Sequence, residues 1–123
     1  MTSGLTRVAI VGSRSRDCRA EVFAAVAELP DGTVVVSGGA KGVDRWAAQA
    51  ARERGLQVVE HLPQIPKGAS RQEAIAELMG RNTKIAQDCD RMIAFPHPEA
   101  NGSGGTWDSI RKAQKMGKEV DIR

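Results

Sequence analysis

The sequence predicts a three-layer α/β/α fold built on about five mainly parallel strands. Three observations lead there. Short apolar runs alternate with longer segments of helical periodicity along the chain. The runs at 7–12 (RVAIVG), 33–37 (TVVVS) and 91–95 (RMIAF) are nearly continuously apolar, as strands covered on both faces must be. The segments between them are long enough to cross back over a sheet, which gives right-handed βαβ units.

Each element follows from its residues. The first strand, 7–12, ends in Gly12. Residues 17–29 form a helix, because Val22, Phe23, Val26 and Leu29 share one stripe. Pro30-Asp31-Gly32 turns the chain into the second strand, 33–37. A glycine-rich loop, 38–42, opens a helix over 43–54, with Val43, Ala47, Ala50 and Ala51 inward and Gly55 as its stop. The third strand is 56–61, followed by a loop at 63–68. Residues 70–88 are helical, with a break expected near Gly80. The fourth strand, 91–95, leads into a loop of Pro, Gly, Asn and Ser over 96–105. Thr106 is expected to cap a helix over 106–116 that stops at Gly117. A fifth strand covers 118–122.

The chain has 123 residues, enough for one domain and one core, and no repeat, low-complexity tract or linker divides it. With 41% hydrophobic and 27% charged residues it is not a disordered chain. Two Trp, two Phe and no Tyr leave too few rings for a base-stacking single-strand binder or for an aromatic-rich protein-binding surface. The net charge of +3 is spread along the chain without a basic run, which fits a small anionic ligand as well as a nucleic acid. Cys18 and Cys89 form no metal or CxxC spacing, so a reduced, cytoplasmic protein is expected, with inert cysteines. His61 and His97 also lack partners at metal spacing, and no metal is expected. Residues 1–6 carry no apolar signal core, and no apolar stretch approaches membrane-spanning length.

In such folds a ligand sits beyond the carboxyl ends of the strands, where the strand order switches. Three strand exits carry chemistry. They are Gly12-Ser13-Arg14-Ser15-Arg16, Ser37-Gly38-Gly39-Ala40-Lys41-Gly42-Val43-Asp44-Arg45 and Asn101-Gly102-Ser103-Gly104-Gly105-Thr106-Trp107-Asp108. The last two run straight into helices, whose first N–H groups attract anions, and glycine lets a phosphate approach. With the arginines after the first strand, they point to a phosphorylated ligand. Each feature also has a plain structural account. Asp44 suits the first turn of its helix electrostatically and either braces its loop or meets the ligand. Lys41 and Arg45 either neutralise a phosphate or are solvated. Ile75, Leu78 and Met79 form a stripe explained by a core or by a dimer face. GGAKGVD is not a Walker A loop, and Ser37 stands where a dinucleotide fingerprint needs its first glycine.

Three blocks, spanning residues 7–120, resemble the SLOG superfamily, named for the Smf/DprA and LOG families. Val11-Gly12-Ser13-Arg14 resembles its first-strand GSR signature. Ser37-Gly38-Gly39-Ala40-Lys41-Gly42-Val43-Asp44-Arg45 resembles its SGGAxGxD loop. Arg81-Asn82, then Ala94-Phe95-Pro96 and Gly104-Gly105-Thr106, resembles the stretch ending in the PGGxGT loop of LOG enzymes.

The resemblance implies a Rossmann-like fold, a nucleotide or nucleotide-derived ligand, no cofactor and no metal, and a homo-oligomer. Ser13 and Arg14 would contact phosphate or base, alongside the Gly38–Gly42 and Gly104–Thr106 helix starts. LOG members cleave the N-glycosidic bond of nucleoside monophosphates with an arginine and a glutamate. Arg81 matches that arginine, and Asp108 stands where the glutamate would be, as a carboxylate to stabilise the sugar cation. The acid here is one methylene shorter, and residues 97–103 lengthen the loop before it. Two functions are therefore implied: N-glycosidic hydrolysis, or nucleotide binding alone, as a sensor, carrier or sponge. The rival is DprA-like binding of single-stranded DNA, which the SGGAKGVD loop and the basic balance allow.

Overall fold

The computed structural model describes residues 6–123. The signal-free opening expected from residues 1–6 falls, but for Thr6, outside them. Nine elements follow in order: β1 (Arg7–Gly12), α1 (Arg19–Ala27), β2 (Val34–Ser37), α2 (Val43–Glu53), β3 (Gln57–Glu60), α3 (Arg71–Gln87), β4 (Arg91–Phe95), α4 (Gly105–Lys115) and β5 (Glu119–Ile122). The strands form one sheet in the order β3-β2-β1-β4-β5, and every pairing is parallel. The expected α/β/α architecture is the observed one.

The two-residue period of the strands sorts the core into two layers. Val8 and Ile10 of β1 and Ile93 and Phe95 of β4 face α1 and α2. Ala9 and Val11 of β1 and Met92 and Ala94 of β4 face α3 and α4. The edge strands β3 and β5 are exposed at their ends, whereas β2 is buried throughout. The chain walks from β1 out to β3, then crosses to β4 on the other side. The order therefore switches between β1 and β4, which sets the crevice at their carboxyl ends.

Three local expectations are corrected. Helix α1 begins at Arg19, two residues later than the stripe predicts, with Cys18 at its cap position. Helix α3 runs unbroken through Gly80. Gly80 costs about 1 kcal/mol in helix propensity, and this is offset by a Ser70–Glu73 capping box and by packing on α4. Thr106 is not a cap: α4 begins at Gly105 with Gly104 before it at φ 90°, and no side chain caps the start. Ile75 and Met79 are 44% and 46% exposed, so the α3 stripe is not core at those positions.

His61 binds Asp88 at 2.7 Å, and Arg7 grips the same carboxylate with two nitrogens at 2.9 Å each. Cys18 and Cys89 are buried, and burial pushes both thiols up. No helix among the described residues is long and apolar enough to cross a membrane.

Candidate functional site

The exit of β1 is a short hydroxyl-braced turn. Ser13 donates its N–H to the Phe95 carbonyl at 3.1 Å, which ties the turn to β4 across the switch point. Its Oγ accepts the Ser15 N–H at 3.0 Å. Arg14 at the tip is exposed and lines the cavity. Arg16 turns away and donates to the carbonyls of Pro96 and Arg123. Two glycines here have packing reasons. A Cβ on Gly12 would meet the Val43 side chain at 2.6 Å, and one on Gly42, at φ 80°, would meet the Ser13 carbonyl at 2.8 Å. Together they let the start of α2 press against the β1 exit.

The exit of β2 closes on an acid from its own helix. Ser37 Oγ donates to the Asp44 carbonyl at 3.1 Å and accepts the Gly39 N–H at 3.2 Å. The Asp44 carboxylate accepts the Ala40 N–H at 3.3 Å. Asp44 is 5% exposed. Burial raises its pKa to about 6, against the pull of Ala40, the Arg81 guanidinium, Gly12 and Gly38. Lys41 and Arg45 are exposed and do not line the cavity.

Helix α3 joins the second exit to the third. Arg81 donates from Nη1 to the Gly38 carbonyl at 2.5 Å and from Nε to Asn82 Oδ1 at 3.0 Å. Burial pulls its pKa down, Asp44 opposes that shift, and the like charge of Arg14 adds to it. Buried Asn82 donates from Nδ2 to the Gly105 carbonyl at 3.3 Å and to Asp108 Oδ2 at 3.1 Å. Lys112 reaches the same Asp108 oxygen at 2.9 Å and the Met79 carbonyl at 2.7 Å. Arg81, Asn82, Asp108 and Lys112 thus form one network that ties the β2 exit to the start of α4.

A cavity of about 640 Å³ lies between the three exits. Of the residues the sequence singles out, Gly12, Ser13, Arg14, Gly38, Gly39 and Ala40 line it. So do Asp44, Arg81, Asn82, Gly104, Gly105 and Thr106. Ser37, Lys41, Gly42, Arg45 and Asp108 do not. Ser37 and Gly42 brace the loops, and Asp108 is engaged by Asn82 and Lys112. Sequence reasoning missed the apolar wall: Leu62, Pro63 and Ile65 after β3, with Leu78 and Ile85 of α3. The stretch LPQIP that carries Leu62 and Ile65 has no periodicity, so nothing in the sequence marks them as cavity lining.

Charge in the cavity is unbalanced. Arg14 and Arg81 face it against one carboxylate, Asp44. The starts of α2 and α4 lack a side-chain cap, in contrast to that of α3. At α2 the carboxylate of Asp44 takes up the N–H of the preceding loop, whereas at α4 the first-turn acid, Asp108, is engaged by Asn82 and Lys112 and not by the N–H groups of the turn.

A family model described as YAcAr, the YspA, cpYpsA-related SLOG family, matches residues 6–68. Among solved structures, DNA processing protein A (DprA) from Streptococcus pneumoniae is similar in fold, with a TM-score of 0.78 at 23% identity. The match covers 96% of this chain and 50% of that one, so the chain spans half the length of that protein. The structural-genomics target TM1055 matches with a TM-score of 0.66 at 25% identity, over 94% of this chain and 72% of its own. No curated protein is significantly similar in sequence.

Proposed function

The chain belongs to the YspA, cpYpsA-related SLOG family, and from that premise we propose that it binds a nucleotide or nucleotide-derived ligand at the carboxyl edge of its sheet. The observation that carries this reading is the cavity's charge: two guanidinium groups and an uncapped helix start face one buried carboxylate. An anion is what balances that arrangement. The phosphate belongs at the start of α4, with Arg14 and the Ser13 hydroxyl beside it. The turn after β2 is the poorer phosphate cradle, since Asp44 already lies against it.

A second reading is N-glycosidic hydrolysis of a nucleoside monophosphate. It is favoured by the Asn82 bridge, which places Arg81 and Asp108 in one network. Against it, Asp108 stands outside the cavity lining and pairs with Lys112. Nucleotide binding without turnover is therefore the reading we adopt. The test is mass spectrometry of nucleoside mono-, di- and triphosphates incubated with the protein, beside binding measured on the same panel. Binding with every nucleotide intact supports a sensor, carrier or sponge. Release of free base and ribose 5-phosphate by the wild type, but not by Asp108→Ala, establishes the hydrolase instead. No binding to any member removes the nucleotide reading.

A further inference from the structure

The lining of the cavity has an apolar component. Leu62, Pro63 and Ile65 line it from the segment after β3, and Leu78 and Ile85 line it from α3. Leu62 is 61% exposed and Ile65 42%. The place of Leu62 is set by a glycine. A Cβ on Gly39 would lie 2.3 Å from Leu62 Cδ2, so the isobutyl group rests directly on the turn after β2. Single exposed aliphatics are ordinary on a protein surface. Here they line a cavity that also carries two guanidinium groups and an uncapped helix start. A ligand that fills it combines an anionic group with an apolar surface.

We infer that Leu62, Ile65 and Leu78 form a base subsite, which holds a nucleobase by contact with its faces. The inference rests on the nucleotide reading above. Among the described residues no Phe or Trp ring lines the cavity, so its aliphatic side chains carry the contact, with the His97 imidazole as the aromatic ring of the lining. A sugar phosphate with no base should bind at least about tenfold more weakly, because the apolar contact is lost.

The test is calorimetry with adenosine 5′-monophosphate, guanosine 5′-monophosphate and ribose 5-phosphate, on the wild type and on Leu62→Ser/Ile65→Ser. Both positions are exposed, and a thermal melt checks that the double variant folds; Leu62→Gln alone serves if it does not. The expected result is a loss of about tenfold or more for both nucleotides, with ribose 5-phosphate unchanged. Unaltered nucleotide affinity overturns the subsite. An equal loss for ribose 5-phosphate also overturns it, because the segment then acts on the loops and not on the base. A wild type that binds ribose 5-phosphate as tightly as the nucleotides overturns the subsite while leaving the phosphate site standing. A wild type that binds none of the three fails the nucleotide reading itself.

Discussion

The carboxylate of Asp44 accepts the backbone N–H of Ala40 at 3.3 Å, so the glycine-rich turn after β2 is closed by an acid from the first turn of α2. That acid is buried and its pKa is raised to about 6. Its proton is held more tightly in the folded state than in the unfolded chain, where an aspartate titrates near 3.9. Asp44 therefore contributes most to stability below about pH 4, and that contribution is lost as pH rises to about 6. The loss is of order 3 kcal/mol, two pKa units at 1.36 kcal/mol each. Urea unfolding of wild type and Asp44→Asn at pH 4 and pH 7 isolates it, since other groups titrate alike in both. The wild type should lose stability relative to the variant over that interval, and a difference that stays constant with pH contradicts the assignment.

Gly42 holds α2 against the β1 exit at a left-handed φ of 80°. Gly42→Ala places a Cβ 2.8 Å from the Ser13 carbonyl. A side chain at φ 80°, ψ −129° costs about 1–3 kcal/mol by backbone strain alone, and the clash adds to it. Chemical denaturation should register at least about 2 kcal/mol of destabilisation. A loss within the ±0.5 kcal/mol of a neutral surface change would mean that the β1 exit yields freely.

Arg14 is exposed at the cavity rim, so its removal should spare the fold. Charge-assisted contacts to an anion are worth about 1.5–3 kcal/mol. Arg14→Ala should therefore weaken nucleotide binding by about 10- to 100-fold with no change in melting temperature. Full affinity in this variant, and in Gly39→Asp as well, would place the ligand elsewhere.

Salt separates the pocket from a strand-binding surface. A ligand held by one phosphate should lose only a few-fold in affinity between 50 and 200 mM salt, roughly as one neutralised charge requires. Single-stranded DNA held along exposed Arg14, Lys41 and Arg45 should lose affinity steeply over the same range. Titration of oligonucleotide and mononucleotide in parallel decides between them.

Arg54 lies far from the cavity lining and donates to the carbonyls of Val26 and Leu29 at 2.7 and 2.8 Å, where α1 ends. Arg54→Ala removes that donor from both carbonyls, and Val26 keeps only the Leu29 N–H at 3.1 Å. A destabilisation of about 1–3 kcal/mol is expected, with nucleotide affinity unchanged once the protein is folded. Reduced affinity in the folded variant would show that the α1–α2 layer is coupled to the site.

Much of this protein is legible along the chain. Continuous apolar runs mark β1, β2 and β4 because a parallel strand covered on both faces has no polar side to show. The loaded exits are legible because a parallel sheet sends every strand's carboxyl end to the same edge. Gly12, Gly39 and Gly42 are visible as glycines, but their reasons are not: each yields to a group distant in sequence or in another element, namely Val43, Leu62 and the Ser13 carbonyl. The same holds for Asp108. The resemblance to LOG enzymes implies an acid at the ligand two residues after Thr106, yet the Oδ2 of Asp108 is shared by Asn82 and Lys112. The apolar wall is the furthest from sequence reach. Leu62 and Ile65 in a proline-rich loop have no period to read, and only the lateral position of β3, two strands from β1, brings them over the crevice. Local pattern sets which residues form elements and which strand ends meet. Contacts between side chains separated by tens of residues depend on how those elements pack, and that packing settled which candidates face the cavity.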